Sequence, residues 1–213
     1  LDVSWLCVGH VDEFVMFLPV RSSEKGFKMI IANTAMGREF LQSQDPDLAP
    51  AKYESDHGYA TVADMLADDE LTLYNEDIQV EIDLSREVLK AQVGLDESDI
   101  IDIPALFEPV RWCENTALSL IPGTVNMTVY EDGAGDTHLF MADPFFRTRS
   151  GGQDYDPFIA EIETLLPEGN EHHWLDDWDL YHMGMGEVHC GTNTRRTPVD
   201  EWWVSARHLL GGE

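Results

Sequence analysis

The sequence holds 213 residues, with 41 acidic and 13 basic side chains and a net charge of −28. That balance excludes a nucleic-acid surface, which needs clustered lysine and arginine, whereas Lys25, Lys28, Lys52 and Lys90 are scattered. An apolar fraction of 43% excludes disorder, and with no apolar run of about 18 residues no membrane partner is expected; a cationic partner fits the field.

In chain order, Phe14 to Val20 is a near-continuous apolar run that reads as a buried strand. Ser22 to Gly26 is turn material, and Phe27 to Ala32 reads as the antiparallel partner. Thr34 is placed to cap a helix starting at Ala35, with Met36, Phe40 and Leu41 at helical spacing, ending before Asp45-Pro46. From Ala63 a longer helical pattern carries Ile78, Ile82, Leu89 and Val93 on one face, with Gly94 at its end. Ile100 to Ile103 is a third strand, closed by Pro104.

The second half repeats this order. Val125 to Tyr130 reads as a strand, Glu131 to Asp136 as a turn and Thr137 to Met141 as the returning strand. A helix from about Pro157 to Leu166 and a short strand near His172 to Leu175 follow. The fold class is therefore α+β, with two units of strand, strand, helix, strand, at approximately residues 8–107 and 117–193.

Cys7, Cys113 and Cys190 are an odd number at wide spacing, so a disulfide framework and a structural zinc site are both poorly supported and at least one thiol should be free. Cys7 and Cys113 sit beside apolar or bulky neighbours and read as packed thiols, whereas Cys190 lies in a polar, glycine-flanked segment, Gly186 to Asn193. His10 and Asp12 stand two apart before the first strand, so extended backbone would aim both at one place. Glu171-His172-His173 with Asp176, Asp177 and Asp179, and separately the Asp132 to Asp136 turn, offer metal-ligand types. Neither has a recognised spacing, and no metal ligand is assigned.

Several collinear stretches resemble the catalytic C-terminal part of the protein-arginine deiminases. They are Val8-Gly9-His10-Val11-Asp12-Glu13-Phe14, Arg86 to Lys90, Gly94-Leu95, Glu97 to Pro104, Leu106-Phe107, Val125-Asn126-Met127, Gly186 to Asn193, Arg195-Arg196 and Trp202-Trp203. The resemblance implies an α/β propeller of ββαβ modules with pseudo-fivefold symmetry, of which residues 1–213 supply only part. It implies Cys190 as the nucleophile of a hydrolase turning peptidyl-arginine into peptidyl-citrulline, with release of ammonia from a covalent thiouronium intermediate. His10 would be the acid and base, Asp12 would hold the guanidinium, and Val8 would pack on the substrate's methylenes. Deimination of free arginine or agmatine, and guanidine binding without turnover, are the alternatives.

The family's second substrate aspartate would lie upstream of His10, so the N-terminal part of the same enzyme is the expected partner, whether in the same chain or as a separate chain of a nicked precursor. No cofactor is assigned; calcium is compatible with the resemblance, its ligands being expected outside this chain. Where vertebrate members carry Arg-His-Gly-Glu, this sequence has Gly184-Met185-Gly186-Glu187. A start at Leu1 instead of Met points to processing, a precursor or a fragment, and with the acidity it favours secretion over a cytoplasmic location without fixing either.

Overall fold

Two three-stranded sheets with the same strand order carry the fold. The computed structural model describes residues 1–147, 155–195 and 201. Strands β1 (Val15–Pro19) and β2 (Phe27–Asn33) pair antiparallel, with Val15 opposite Ile31 and Pro19 opposite Phe27. β2 is central, so Met29, Ile30, Ile31 and Ala32 are all buried although they alternate faces.

Helix α1 (Thr34–Ser43) follows β2 directly. Its cap lies one residue upstream of the predicted position: Asn33 Oδ1 accepts from the Met36 N–H at 2.9 Å. The Thr34 hydroxyl is instead engaged in packing, donating to the Asn75 carbonyl at 2.6 Å. A short helix α2 (Tyr53–Asp56) comes next. The single helical pattern predicted from Ala63 is two helices, α3 (Val62–Ala67) and α4 (Asp69–Val93). They part at Asp68, whose Oδ1 accepts from the Leu71 N–H at 2.9 Å and so opens the second helix. Ile78 and Ile82 are buried as predicted, but Val93 is exposed, and the inward face runs instead through Leu71, Asn75 and Ser85.

Strand β3 (Ile100–Pro104) returns parallel to β2. The sequence reading missed the next pair, β4 (Phe107–Val110) and β5 (Thr116–Ser119), two four-residue strands too short to show a period. Buried Asn75 ties α4 to β4: its Oδ1 accepts from the Phe107 N–H at 2.9 Å and its Nδ2 donates to the Phe107 carbonyl at 2.8 Å.

Cys7 and Cys113 are not the packed thiols that their neighbours suggested. Cys7 and Cys113, 106 residues apart, form a disulfide, and Cys190 is the free thiol. Backbone pairing brings them together: the Cys7 N–H donates to the Ala117 carbonyl at 2.9 Å and the Ala117 N–H to the Trp5 carbonyl at 2.7 Å, laying the N-terminal segment beside β5.

In the second sheet, β6 (Thr128–Glu131) and β7 (Thr137–Ala142) form the antiparallel pair, α5 (Pro157–Leu165) crosses over, and β8 (Asn170–Leu175) returns parallel to β7. The strand predicted from Val125 starts only at Thr128, because Val125 to Met127 form a bend in which the Asn126 N–H donates to the Gly123 carbonyl at 3.0 Å. Tyr53 meets both Phe146 and Trp178 edge to face, with Trp178 Nε1 donating to Asp56 Oδ2 at 2.8 Å. The fold is thus α+β with mixed sheets. Arg196, Trp202 and Trp203 of the resemblance lie outside the described residues.

Candidate active site

Three segments far apart in sequence converge on the buried side chain of Asn126. Its Nδ2 donates to the Asp12 carbonyl at 3.2 Å and to Cys190 Sγ at 3.3 Å, while its Oδ1 accepts from the backbone N–H groups of His189 at 3.0 Å and Cys190 at 3.2 Å. The bend that ends the predicted strand early is what turns this amide toward the thiol. The amide N–H is thereby aimed at the Cys190 sulfur.

Asp12 lies in a 3₁₀ turn, Val11–Glu13, where the sequence reading assumed extended backbone. The same-face argument for His10 and Asp12 therefore does not apply, because a turn does not alternate sides. Asp12 Oδ2 instead meets His189 Nδ1 at 2.6 Å. His10 is exposed, with its backbone N–H donating to Glu13 Oε1 at 2.7 Å, and Val8 is half-buried. The structure thus ties Asp12 and Cys190 together through Asn126 and adds His189. The presence of Asn126 and His189 in the family-like stretches was the available signal for both.

Cys190 is exposed on a tight turn in which the Gly191 N–H reaches the Glu187 and Val188 carbonyls, both at 3.2 Å. A Cβ on Gly191 would sit 2.5 Å from the Tyr181 ring, which explains the glycine after the cysteine. Beside the thiol opens a cavity of about 330 Å³, walled by Glu13, Glu108, Asn126, Met183 and Glu187 among others. Its volume suits a side-chain-sized guest, and three carboxyl groups line its wall.

Ionisable groups that pair with one another form part of its wall. His182 Nδ1 meets Glu187 Oε1 at 2.8 Å, the same oxygen accepts from the Gly123 N–H at 3.0 Å, and His57 Nδ1 meets Glu108 Oε1 at 2.9 Å. Burial pushes the Glu187 carboxyl up to about 8, and burial plus the neighbouring Glu187 charge does the same for Asp177. Burial also raises Glu13 to about 7 and, with His57 nearby, lowers His182 to about 4.

These shifts fix a sign. Between pH 6.5 and 8 the folded chain keeps carboxyl protons that the unfolded chain has released, so stability falls as pH rises, by on the order of 1 kcal/mol per pH unit. Below 6.5 the unfolded chain protonates His182 while the buried ring stays neutral, which partly offsets the trend. Glu187→Gln is expected to flatten the slope above pH 6.5 in urea denaturation of the complete protein; an unchanged slope would contradict a buried protonated carboxyl.

A free thiol held by an amide, a carboxylate–imidazole pair and an acidic cleft together define a thiol site suited to a planar cationic electrophile. Residues 1–204 match the protein-arginine deiminase (PAD) family, and the chain belongs to that family. It is 36% identical over 219 residues to human protein-arginine deiminase type-3, covering 95% of this chain and 30% of that protein. Mouse protein-arginine deiminase type-1 is 35% identical over 207 residues and human type-4 34% over 212, covering 94% and 93% of this chain. The chain spans about 30% of the length of these relatives.

Proposed function

We propose that the complete protein converts peptidyl-arginine to peptidyl-citrulline and that this chain supplies its nucleophile and one of its two guanidinium-binding carboxylates. The observation that carries this reading is the Asn126 amide joining Asp12 and Cys190 beside an acidic cavity. Cys190 thiolate attacks the guanidinium carbon, forming a C–S bond and a tetrahedral adduct. The C–N bond to the terminal nitrogen then breaks; His10 delivers the proton, ammonia leaves, and a thiouronium remains on sulfur. Water deprotonated by His10 adds to the same carbon, the C–S bond breaks, and citrulline departs as the thiolate is restored.

Asp12 Oδ2 is engaged by His189, so Asp12 Oδ1 is the oxygen assigned to the guanidinium N–H. Val8 packs on the substrate's methylenes. The second carboxylate comes from the N-terminal part of the enzyme, and the two sheets are two ββαβ modules of a five-module propeller whose remainder lies there. A calcium requirement, if the complete protein has one, resides in that remainder. The acidic Asp132 turn does not fit the role, because its Oδ1 already accepts from the N–H groups of Ala134, Gly135 and Asp136 at 2.8–3.0 Å.

The complete protein is expected to release citrulline from a blocked arginyl peptide far faster than from free arginine or agmatine, read by colorimetric citrulline assay. Preference for free arginine would reassign it to a small-molecule deiminase, and guanidine binding without product would make it a binding homologue.

A further inference from the structure

The Glu171-His172-His173 stretch, set aside as a metal site on spacing alone, gains a third donor, His138, through the pairing of β7 and β8. His138 on β7 stands opposite Glu171 on β8, and His173, two residues along, shares their face. His138 Nδ1 lies 3.0 Å from His173 Nε2 and 3.3 Å from Glu171 Oε2, and one ligand atom from each residue falls within 4.8 Å of the others. Zinc–nitrogen bonds of about 2.0–2.1 Å put two nitrogens of a tetrahedral site about 3.3 Å apart, close to the spacing found.

The surroundings favour a cation. The other ring nitrogen of His138 faces Asp132 Oδ2 at 3.8 Å, the side from which a carboxylate orients a metal-bound imidazole. His173 is stacked on Phe140 at 4.6 Å and 14°, which fixes the plane of its ring. Neighbouring His172 points to the opposite face, toward Glu163 of α5 at 3.6 Å, so only the second of the adjacent histidines belongs to the cluster.

The geometry points to a zinc-class divalent cation site formed by His138, Glu171 and His173, clipping the parallel pair β7–β8 together on the face away from α5. Two imidazoles select zinc over calcium, which takes oxygen ligands. The fourth position is left to water. This site is separate from the His189–Asp12 pair and does not depend on deimination.

The test titrates zinc chloride into the complete protein against a chromophoric chelator, in a Cys190→Ala background so that the active thiol does not compete. The His138→Ala/His173→Ala double variant is expected to lose one equivalent of bound zinc, and Glu171→Gln, at an exposed position, to weaken that equivalent by on the order of 10-fold or more. With Cys190 intact, the double variant should retain citrulline formation, which reports that it folds. The proposal is overturned if the double variant binds zinc with unchanged stoichiometry and affinity, or if calcium displaces zinc at equal concentration.

Discussion

Replacing Cys190 by serine is expected to lower citrulline formation by the complete protein by on the order of 10⁴-fold or more, with substrate binding largely kept. The hydroxyl keeps the shape of the side chain, but it is far less acidic than a thiol and nothing in the site can ionise it. Asn126 donates to Cys190 Sγ and accepts from two backbone N–H groups on the same turn, so the position of the proposed nucleophile depends on it. Asn126→Asp, nearly isosteric, would replace the donor with a negative charge facing the thiolate, and a loss of kcat approaching that of Cys190→Ser is expected. Steady-state kinetics on the arginyl peptide separate the cases. Retained turnover in Cys190→Ser would overturn the covalent mechanism, and an unaffected Asn126→Asp would remove the amide from it.

The second large effect concerns stability. The Cys7–Cys113 bond closes a loop of 106 residues, containing the whole first sheet and helices α1 to α4. Cross-linking a loop of that length restricts the unfolded chain by about 4 to 5 kcal/mol in the chain-entropy account. Cys7→Ser/Cys113→Ser should therefore lower the unfolding free energy of the complete protein by an amount of that order, read as a lower urea midpoint with a steeper slope, because the unlinked chain expands further on unfolding. Cys7 is three residues from His10, so a fall in activity at temperatures well below the new midpoint is also expected as the Val8 to Asp12 segment loosens. Equal midpoints for variant and parent under oxidising conditions would show that the bond does not form.

The strands were legible because burial leaves a mark on composition. β2 is apolar at consecutive positions since both of its faces are covered, and β7 stands out after the polar turn that ends at Asp136. The break at Asp68 was hidden because the helical period continues across it, and only the direction of one carboxylate starts a new helix there. The disulfide was hidden for another reason: partner choice follows from the laying of residues 5–7 along Ala117, a tertiary contact that no local pattern records.

Within the site, the roles proposed for Asp12, His10 and Cys190 rest on resemblance, while spacing contributed little. His189 reads in sequence as a neighbour of Cys190, yet it reaches across 177 residues to Asp12. Asn126 sat inside an apparent strand, and its reach to Cys190 depends on that strand being interrupted. Likewise, His138 and His173 acquire a shared face only once parallel pairing sets their register.

The covalent link between Cys7 and Cys113 also governs how the protein would look after cleavage. A protease cutting the acidic segment between α1 and α2 would break the chain between Asp12 and Cys190, yet Cys7 on one side of the cut and Cys113 on the other would keep the two pieces joined. The fragments would migrate as one band without reductant and as two with it, each still holding its share of the site, Asp12 on one and Cys190 on the other.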